Sequence, residues 1–339
     1  MFFRSQTTSI ISLSKAELST DATSNHSGPS AMCVISSVVI KDRKMKELKD
    51  KLNHLISKIS PRLFFIIAYI HNRHRLPHFS HPKDLSEIWI KYVLEGNSLK
   101  LYKLADKFLV REFVRERGHS DILPNLLGVW DKPITKTEFD KFPDSFALKM
   151  NYGAGMNIIC QHKDTLTYQT VSSLLHKWFY NRKGYPCSEN HYNLITRKVI
   201  CEEYIGDSNQ TSPTDYKFIC INGEPFCVLV CFDRIDGEAN YMPLTLDWKP
   251  LPNYNKNGCS YTIARPKNLD RMVRIASDLA KGIELVRIDL YDTGEHIYFG
   301  EMTLTPAGCI FHTWSQESLD EMGDYYWKTK ATFVPQANF

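Results

Sequence analysis

The sequence predicts an α+β fold, on three observations. Strand-like and helix-like segments alternate without the regular βαβ period of a doubly wound protein. Three hairpin signatures punctuate the strands: a glycine loop at Asn151 to Asn157, a turn at Gly223, and Asp292-Thr-Gly-Glu295. Stretches such as Leu269 to Ala280 carry apolar residues at helical spacing.

A chain of 339 residues, 43% hydrophobic and 24% charged, can bury a core shared by two or three packed subdomains. Its net charge of +4 is too small to argue for nucleic acid and suits an anionic substrate. Nine cysteines are scattered with no CxxC pair, which reads as reduced thiols in a cytoplasmic compartment and argues against a zinc centre. No apolar run approaches the roughly 18 residues of a spanning helix; the longest is Leu63 to Ile70.

Residues 1–43 are Ser/Thr-rich and read as a disordered leader. Amphipathic patterning begins at Met45, a candidate native start. Residues 44–100 read as a helical N-terminal segment, with Leu48, Leu52, Leu55, Ile56 and Ile59 at helical spacing between lysines. The greasy run after Pro61 leads into Arg73, His74 and Arg75. The plain reading is a core helix with a solvated basic end; the sharper one is a peripheral contact with an anionic membrane at the inner face of the cytoplasmic membrane. Leu101 onward reads as a helix ended by Gly118. Strands are expected at Phe146 to Met150 and Ile158 to Cys160 around the glycine loop, with a helix at Val171 to Phe179 and another strand at Lys198 to Ile205. A hairpin then turns at Gly223, and a last hairpin follows the 269–280 helix. There is no internal repeat.

Two places carry chemistry. The glycine loop offers unobstructed backbone N–H groups of the kind that phosphates need, and Lys149 stands two residues before it. The bland alternative is a glycine hairpin beside a snorkelling lysine. Neither GxxxxGK[ST] nor a GxGxxG between strand and helix occurs. The closing hairpin, Val286 to Gly308, carries Arg287 and Asp289 on one strand and Glu301 and Thr303 on the other. Mg²⁺ with a nucleotide takes one or two carboxylates plus phosphate and water. Whether Asp289 and Glu301 serve depends on register, since strand side chains alternate. A two- or four-residue loop pairs Asp289 with Tyr298 and turns Glu301 away. A three- or five-residue loop pairs Asp289 with Phe299 and Arg287 with Glu301, leaving the two carboxylates diagonal neighbours. Apolar matching of Ile297 and Phe299 favours the even loop; the expectation adopted is the odd loop, with Gly294 left-handed. A salt-bridged hairpin without metal is the alternative.

Several stretches in order resemble the ATP-grasp ligases, within them the teichuronopeptide-biosynthesis, or TupA-like, group. They are Leu104-Ala-Asp-Lys107 with Arg111, Leu123-Pro through Trp130, Phe146-Ala-Leu-Lys149 with the glycine loop, and Ile200-Cys-Glu-Glu-Tyr-Ile205. Asp215-Tyr-Lys217, Asn222-Gly-Glu-Pro225 and Arg234 follow, then Arg287-Ile-Asp289, Glu301-Met-Thr303 and Thr305-Pro-Ala-Gly308. The resemblance runs from about Leu101 to Gly308. It implies an ATP-grasp fold in which two α+β subdomains clasp ATP behind a helical N-terminal extension. Residues 101–190 would form the opening and lid subdomain, 191–315 the catalytic subdomain, and 316–339 a C-terminal tail.

By the same resemblance Lys107 and Lys149 would hold phosphates and the amides of Gly153 to Gly155 would close over them. Glu202 would accept from the adenine amino group, Glu203, Tyr204 and Ile205 would line the base, and Asp215 would bond the ribose. Lys217, Arg234 and Arg287 would neutralise the transferring phosphate and the acceptor carboxylate; Asp289, Glu301 and Thr303 would carry Mg²⁺. Thr303 departs from the Asn usual there. The implied activity is ATP-dependent joining of a carboxylate to an amine in bacterial surface polysaccharide synthesis, on a small-molecule or lipid-linked sugar acid. A glycosyltransferase-like protein would want an Asp-x-Asp motif, which the chain lacks. A nucleotide-binding module without ligase chemistry would bind ATP without turnover. The sequence does not fix the oligomeric state.

Overall fold

The computed structural model describes residues 50–181, 184–206, 213–235, 238–251 and 262–336. The leader at 1–43 lies outside them. The described chain opens with a helix at residues 50–59 (α1), followed by α2 at Pro61–Arg73 and α3 at Leu85–Leu94. Ser60 caps α2 by accepting from the Leu63 N–H, and Pro61 takes the first turn, where its missing N–H costs nothing. Asp84 caps α3 and is fully buried; it also accepts from Tyr69 Oη at 2.6 Å, Arg75 Nη2 at 2.7 Å and Gln316 Nε2 at 2.9 Å. One carboxylate thus ties together α2, α3 and the C-terminal helix.

The basic end of α2 is accordingly not solvated as the plain reading expects. Arg75 serves Asp84, and Arg73 donates to the carbonyls of Trp314 at 2.8 Å and Phe311 at 2.5 Å, with a longer bond to Ile310. Residues 316–339 are not simply a tail either. Gln316–Lys330 (α9) is a helix that packs on α3 through Leu319, Met322 and Tyr326. It approaches so closely that a Cβ at Gly323 would lie 1.8 Å from the Lys83 carbonyl oxygen.

Between these ends lie two antiparallel sheets. The first has the order β1-β4-β2-β3, from Leu126–Trp130, Val199–Glu203, Phe146–Met150 and Asn157–Cys160. The second has the order β7-β6-β5-β8-β9, from Glu238–Leu244, Glu224–Ile235, Asp215–Ile221, Leu285–Asp292 and Ile297–Thr303. The β5–β6 turn is Asn222-Gly223, both at positive φ, the preference of a two-residue hairpin. Helix Tyr168–Phe179 (named α7, after α4 at Asn97–Lys100, α5 at Val110–Glu116 and α6 at Lys136–Asp140) packs on β2. Helix Leu269–Ala280 (α8) covers β5, β6 and β8 with Met272, Ile275 and Leu279. The architecture is α+β, as expected. The seven cysteines among the described residues are buried.

The continuous helix expected from Leu101 to Gly118 is broken. A 3-10 turn at Tyr102–Ala105 stops before α5 because Asp106 takes an extended conformation and accepts the Phe108 and Leu109 N–H groups. The interruption presents Lys107 to the cavity described below.

The closing hairpin follows neither expected register. Its loop is the even one: Asp292 pairs with Ile297 and Leu290 with Phe299, as apolar matching favours. A β-bulge between Asp289 and Leu290 then changes the count, so Asp289 lies directly opposite Glu301 and Arg287 opposite Thr303. Gly300 is the extra residue; a Cβ there would lie 2.9 Å from the Asp289 carbonyl oxygen. The even loop satisfies the core and the bulge returns Glu301 to the face of Asp289. Gly294 is left-handed, as expected (φ +83).

Candidate functional site

Where the two sheets meet the glycine loop a cavity opens. Its cationic side is Lys107, Lys149 and Lys217; Asp215, Asp289 and Glu301 face them, and Gly153 and Gly155 border it. Strand alternation accounts for much of this wall. Ala147 and Lys149 share one face of β2, opposite Ile159 and Asn157 of β3, and all four line the cavity. In the second sheet Lys217 lies opposite Asp289 and Asp215 opposite Tyr291, and these four line it too.

The loop is held at its base. Asn151, fully buried, donates from Nδ2 to Asp106 and to the Thr196 carbonyl, and its Oδ1 accepts the Lys198 N–H. Its carbonyl accepts the Lys107 N–H at 2.8 Å, while Lys107 Nζ donates to the Gly153 carbonyl at 2.7 Å. Gly153 and Gly155 have φ of +69° and +71°. A Cβ at Gly153 would also meet Tyr185 Oη at 2.1 Å, so the positive φ calls for glycine and any larger residue would displace the tyrosine tip as well.

The acidic pair sits in a chain of alternating charge. Asp215 and Lys217 form an ion pair, and Lys217 Nζ also donates to Asp289 Oδ2 at 2.6 Å. Arg287 grips Asp289 in a bidentate pair, both bonds 2.6 Å, and reaches Glu301 Oε1 at 3.2 Å. Thr303 Oγ1 donates to the same oxygen at 3.1 Å, and Lys107 Nζ stands 3.5 Å from Glu301 Oε2. Burial works against charge on Lys217 and Arg287, but the facing carboxylates outweigh it and raise both. Burial likewise opposes ionisation of Glu301; Lys107, Arg287, Lys217 and the Thr303 hydrogen bond outweigh it and hold that carboxyl down to about 2.

The donor set fits Mg²⁺. Two carboxylates opposed across a bulge suit an ion that otherwise takes phosphate oxygens and water. Among the described residues no cluster of three or more His, Cys, Asp and Glu could hold a metal by itself. Glu301 is the more available ligand, with 32% of its side chain exposed against 2% for Asp289, whose oxygens are taken by Lys217 and Arg287.

Of the residues singled out from sequence, Lys107, Lys149, Gly153, Gly155, Tyr204, Ile205, Asp215, Lys217, Asp289 and Glu301 line this one cavity. Arg287 and Thr303 reach it through Asp289 and Glu301. The side chain of Arg234 lies outside the described residues. Glu202 departs from its expected role. Both its oxygens are engaged, Oε1 by Arg111 and Oε2 by Lys149, each at 2.8 Å, and it does not line the cavity. It positions Lys149. Glu203 turns to the Asn125 backbone and side chain instead. Ala147, Met156, Ile159 and Tyr291, which also line the cavity, were not singled out. They look like ordinary strand and loop residues, and only their parity with Lys149 or Asp289 marks three of them.

A model of the TupA-like ATP-grasp family matches residues 87–327. No curated protein matches. Among solved structures, a D-alanine–D-alanine ligase from Bacillus anthracis is 18% identical over 71% of this chain and 72% of its own, with a TM-score of 0.42. The ATP-grasp ligase PsnB, complexed with a variant of its minimal precursor, Mg and ADP, is 13% identical over 73% of this chain, with a TM-score of 0.39. The chain spans 66% of the PsnB length. The family match covers well over half of the sequence, from α3 through α9, and reaches beyond the motifs on both sides. The chain therefore belongs to the TupA-like ATP-grasp family.

Proposed function

We propose that this protein activates a carboxylate with ATP and joins it to an amine, the acid being carried by a uronic-acid-type sugar of bacterial surface polysaccharide, free or lipid-linked. The observation that carries the reading is the convergence of Lys107, Lys149, Lys217, Asp289 and Glu301 on one cavity beside a glycine loop. A carboxylate oxygen attacks the γ-phosphorus and ADP leaves; the amine nitrogen then attacks the acyl carbon and phosphate leaves. Lys107 and Lys149 take phosphate charge, and the 153–155 amides close over it. Ala147, Ile159 and Ile205 offer an apolar slot for the base, and Asp215 lies where a ribose hydroxyl would come. Arg287 and Lys217 are placed to neutralise the transferring phosphoryl group. Mg²⁺ would be held by Asp289 and Glu301, with Thr303 beside them, and would supply charge neutralisation. Positioning and neutralisation are what this chemistry asks of a protein. The reaction would run on the cytoplasmic side, where ATP is found.

The test is ADP release from the purified chain with ATP, Mg²⁺ and a panel of sugar acids and amines. Acid- and amine-dependent ADP formation with an amide product supports the reading. Formation of AMP, or turnover indifferent to every acid and amine, defeats it.

A further inference from the structure

We propose that the outer face of α1 and the start of α2 is a docking surface for an anionic lipid bilayer. Helix α1 turns most of its apolar side chains outward. Leu52, Leu55 and Ile59, at i, i+3 and i+7, are exposed by 54%, 53% and 75%, while Ile56 packs inward on the core and Ser57 is buried. Leu63, 47% exposed, continues the stripe past Pro61 into α2. A leucine–isoleucine stripe left toward solvent calls for a second phase to receive it. Lys51 and Lys58, seven positions apart on one flank of the stripe, are exposed, as is Arg62.

Charge selects the occupant. Along the stripe, residues 50–63 carry Lys51, Lys58 and Arg62, all exposed, against Asp50 alone. The apolar stripe is thus flanked by an excess of positive charge. A second copy would bring one basic surface against another and be repelled. A membrane rich in anionic headgroups attracts the lysines and takes the leucines into its interfacial layer, a combination that holds a helix flat on the surface. No helix among the described residues is long and apolar enough to cross a membrane, so contact at this face would be peripheral. The inference does not depend on the acid or amine ligated. If the acceptor is lipid-linked, the surface would bring the cavity to it.

Flotation of the full chain with vesicles tests this directly. Vesicles of equal phosphatidylglycerol and phosphatidylcholine should carry the protein, and pure phosphatidylcholine should not. Raising salt to 1 M should weaken the binding. The triple variant Lys51→Gln, Lys58→Gln, Arg62→Gln should reduce partitioning on the order of a hundredfold. The pair Leu55→Asp, Ile59→Asp should abolish it with an unchanged Tm, because exposed side chains hold nothing together. Failure of the parent to float on anionic vesicles overturns the proposal. So does a large fall in Tm in the Leu55, Ile59 variant, which would show that another part of the chain covers the stripe. A parent dimer that this variant splits, seen by light scattering, would overturn it in favour of a second copy. Since ADP release is read without vesicles, failure here and failure of the ligase reading are separate results.

Discussion

Asp289 and Glu301 face each other across two strands, yet their surroundings assign them different duties. Asp289 is buried between Lys217 and Arg287 and neutralises both, so Asp289→Asn leaves two buried cations short of a partner. We expect it to cost about 3 kcal/mol in urea denaturation, the range for breaking a buried pair from one side, and to abolish turnover. Glu301 is one-third exposed, and its ion pairs are worth less in water. Glu301→Gln should cost clearly less stability than Asp289→Asn while lowering turnover as severely. Equal destabilisation by the two variants would refute this division. His191 supplies a pH signature. It is fully buried, neither ring nitrogen has a hydrogen-bond partner, and burial pushes its pKa down to about 3. The unfolded chain takes up this proton near pH 6.5 and the folded chain does not. Its neutral form therefore stabilises fully above that pH, and stability falls by about 1.4 kcal/mol per unit as pH drops toward 3. Between pH 7 and 5 the parent should lose roughly 2 kcal/mol more than His191→Phe in matched denaturation curves. At this scale the lysines and carboxylates of the cavity were legible because their types and order carry the chemistry. Glu202 was not: its partner Arg111 is 91 positions away, and nothing local announces that the carboxylate is already spent.

Among the elements, the β8–β9 hairpin shows what pattern reading can and cannot deliver. Existence, direction and turn were readable from Asp292-Thr-Gly-Glu295 and the flanking apolar residues. The register was not, because two demands conflict over so short a span. Ile297 and Phe299 must face the core with Leu290, and Glu301 must face the cavity with Asp289. No regular strand can do both, and the bulge at Gly300 resolves it by one residue. Gly300→Ala should therefore injure function beyond its size. The added methyl meets the Asp289 carbonyl oxygen, and relief requires the bulge to open and Glu301 to shift. A loss of about 1–3 kcal/mol is expected from such overpacking, with turnover reduced at least tenfold; a variant with parental Tm and turnover would refute the role given to the bulge. Helix α9 failed to register for a different reason. Ser315 caps it, and Leu319, Met322 and Tyr326 stand at i, i+3 and i+7, but polar and acidic residues around them dilute the pattern.

For the whole molecule, the N-terminal helices are not an appendage to the ATP-grasp fold. The family match begins at Glu87, inside α3, so Arg73 on α2 lies outside it. Yet Arg73 donates to carbonyls at 310, 311 and 314, on the loop that follows the strand of Glu301 and Thr303. Trp89 Nε1 adds a 2.7 Å bond to the Leu304 carbonyl in the same stretch. The loop needs such external support, since Ala307, Cys309 and Phe311 all adopt positive φ, a conformation costly without glycine. Arg73 thus stands as a positioning residue that holds the strained backbone following the strand of Glu301 and Thr303. Arg73→Met keeps much of the apolar stem but withdraws the donors from the buried carbonyls. The expected cost is about 2–4 kcal/mol. Because the loop does not border the lysines, ATP binding followed by calorimetry should stay near parental, while acid- and amine-dependent turnover falls at least tenfold. Arg73→Lys, with one point donor for three carbonyls, should recover part of the stability and little of the turnover. Equal losses in ATP affinity and turnover would mean that Arg73 supports the fold as a whole and does not hold this loop in particular.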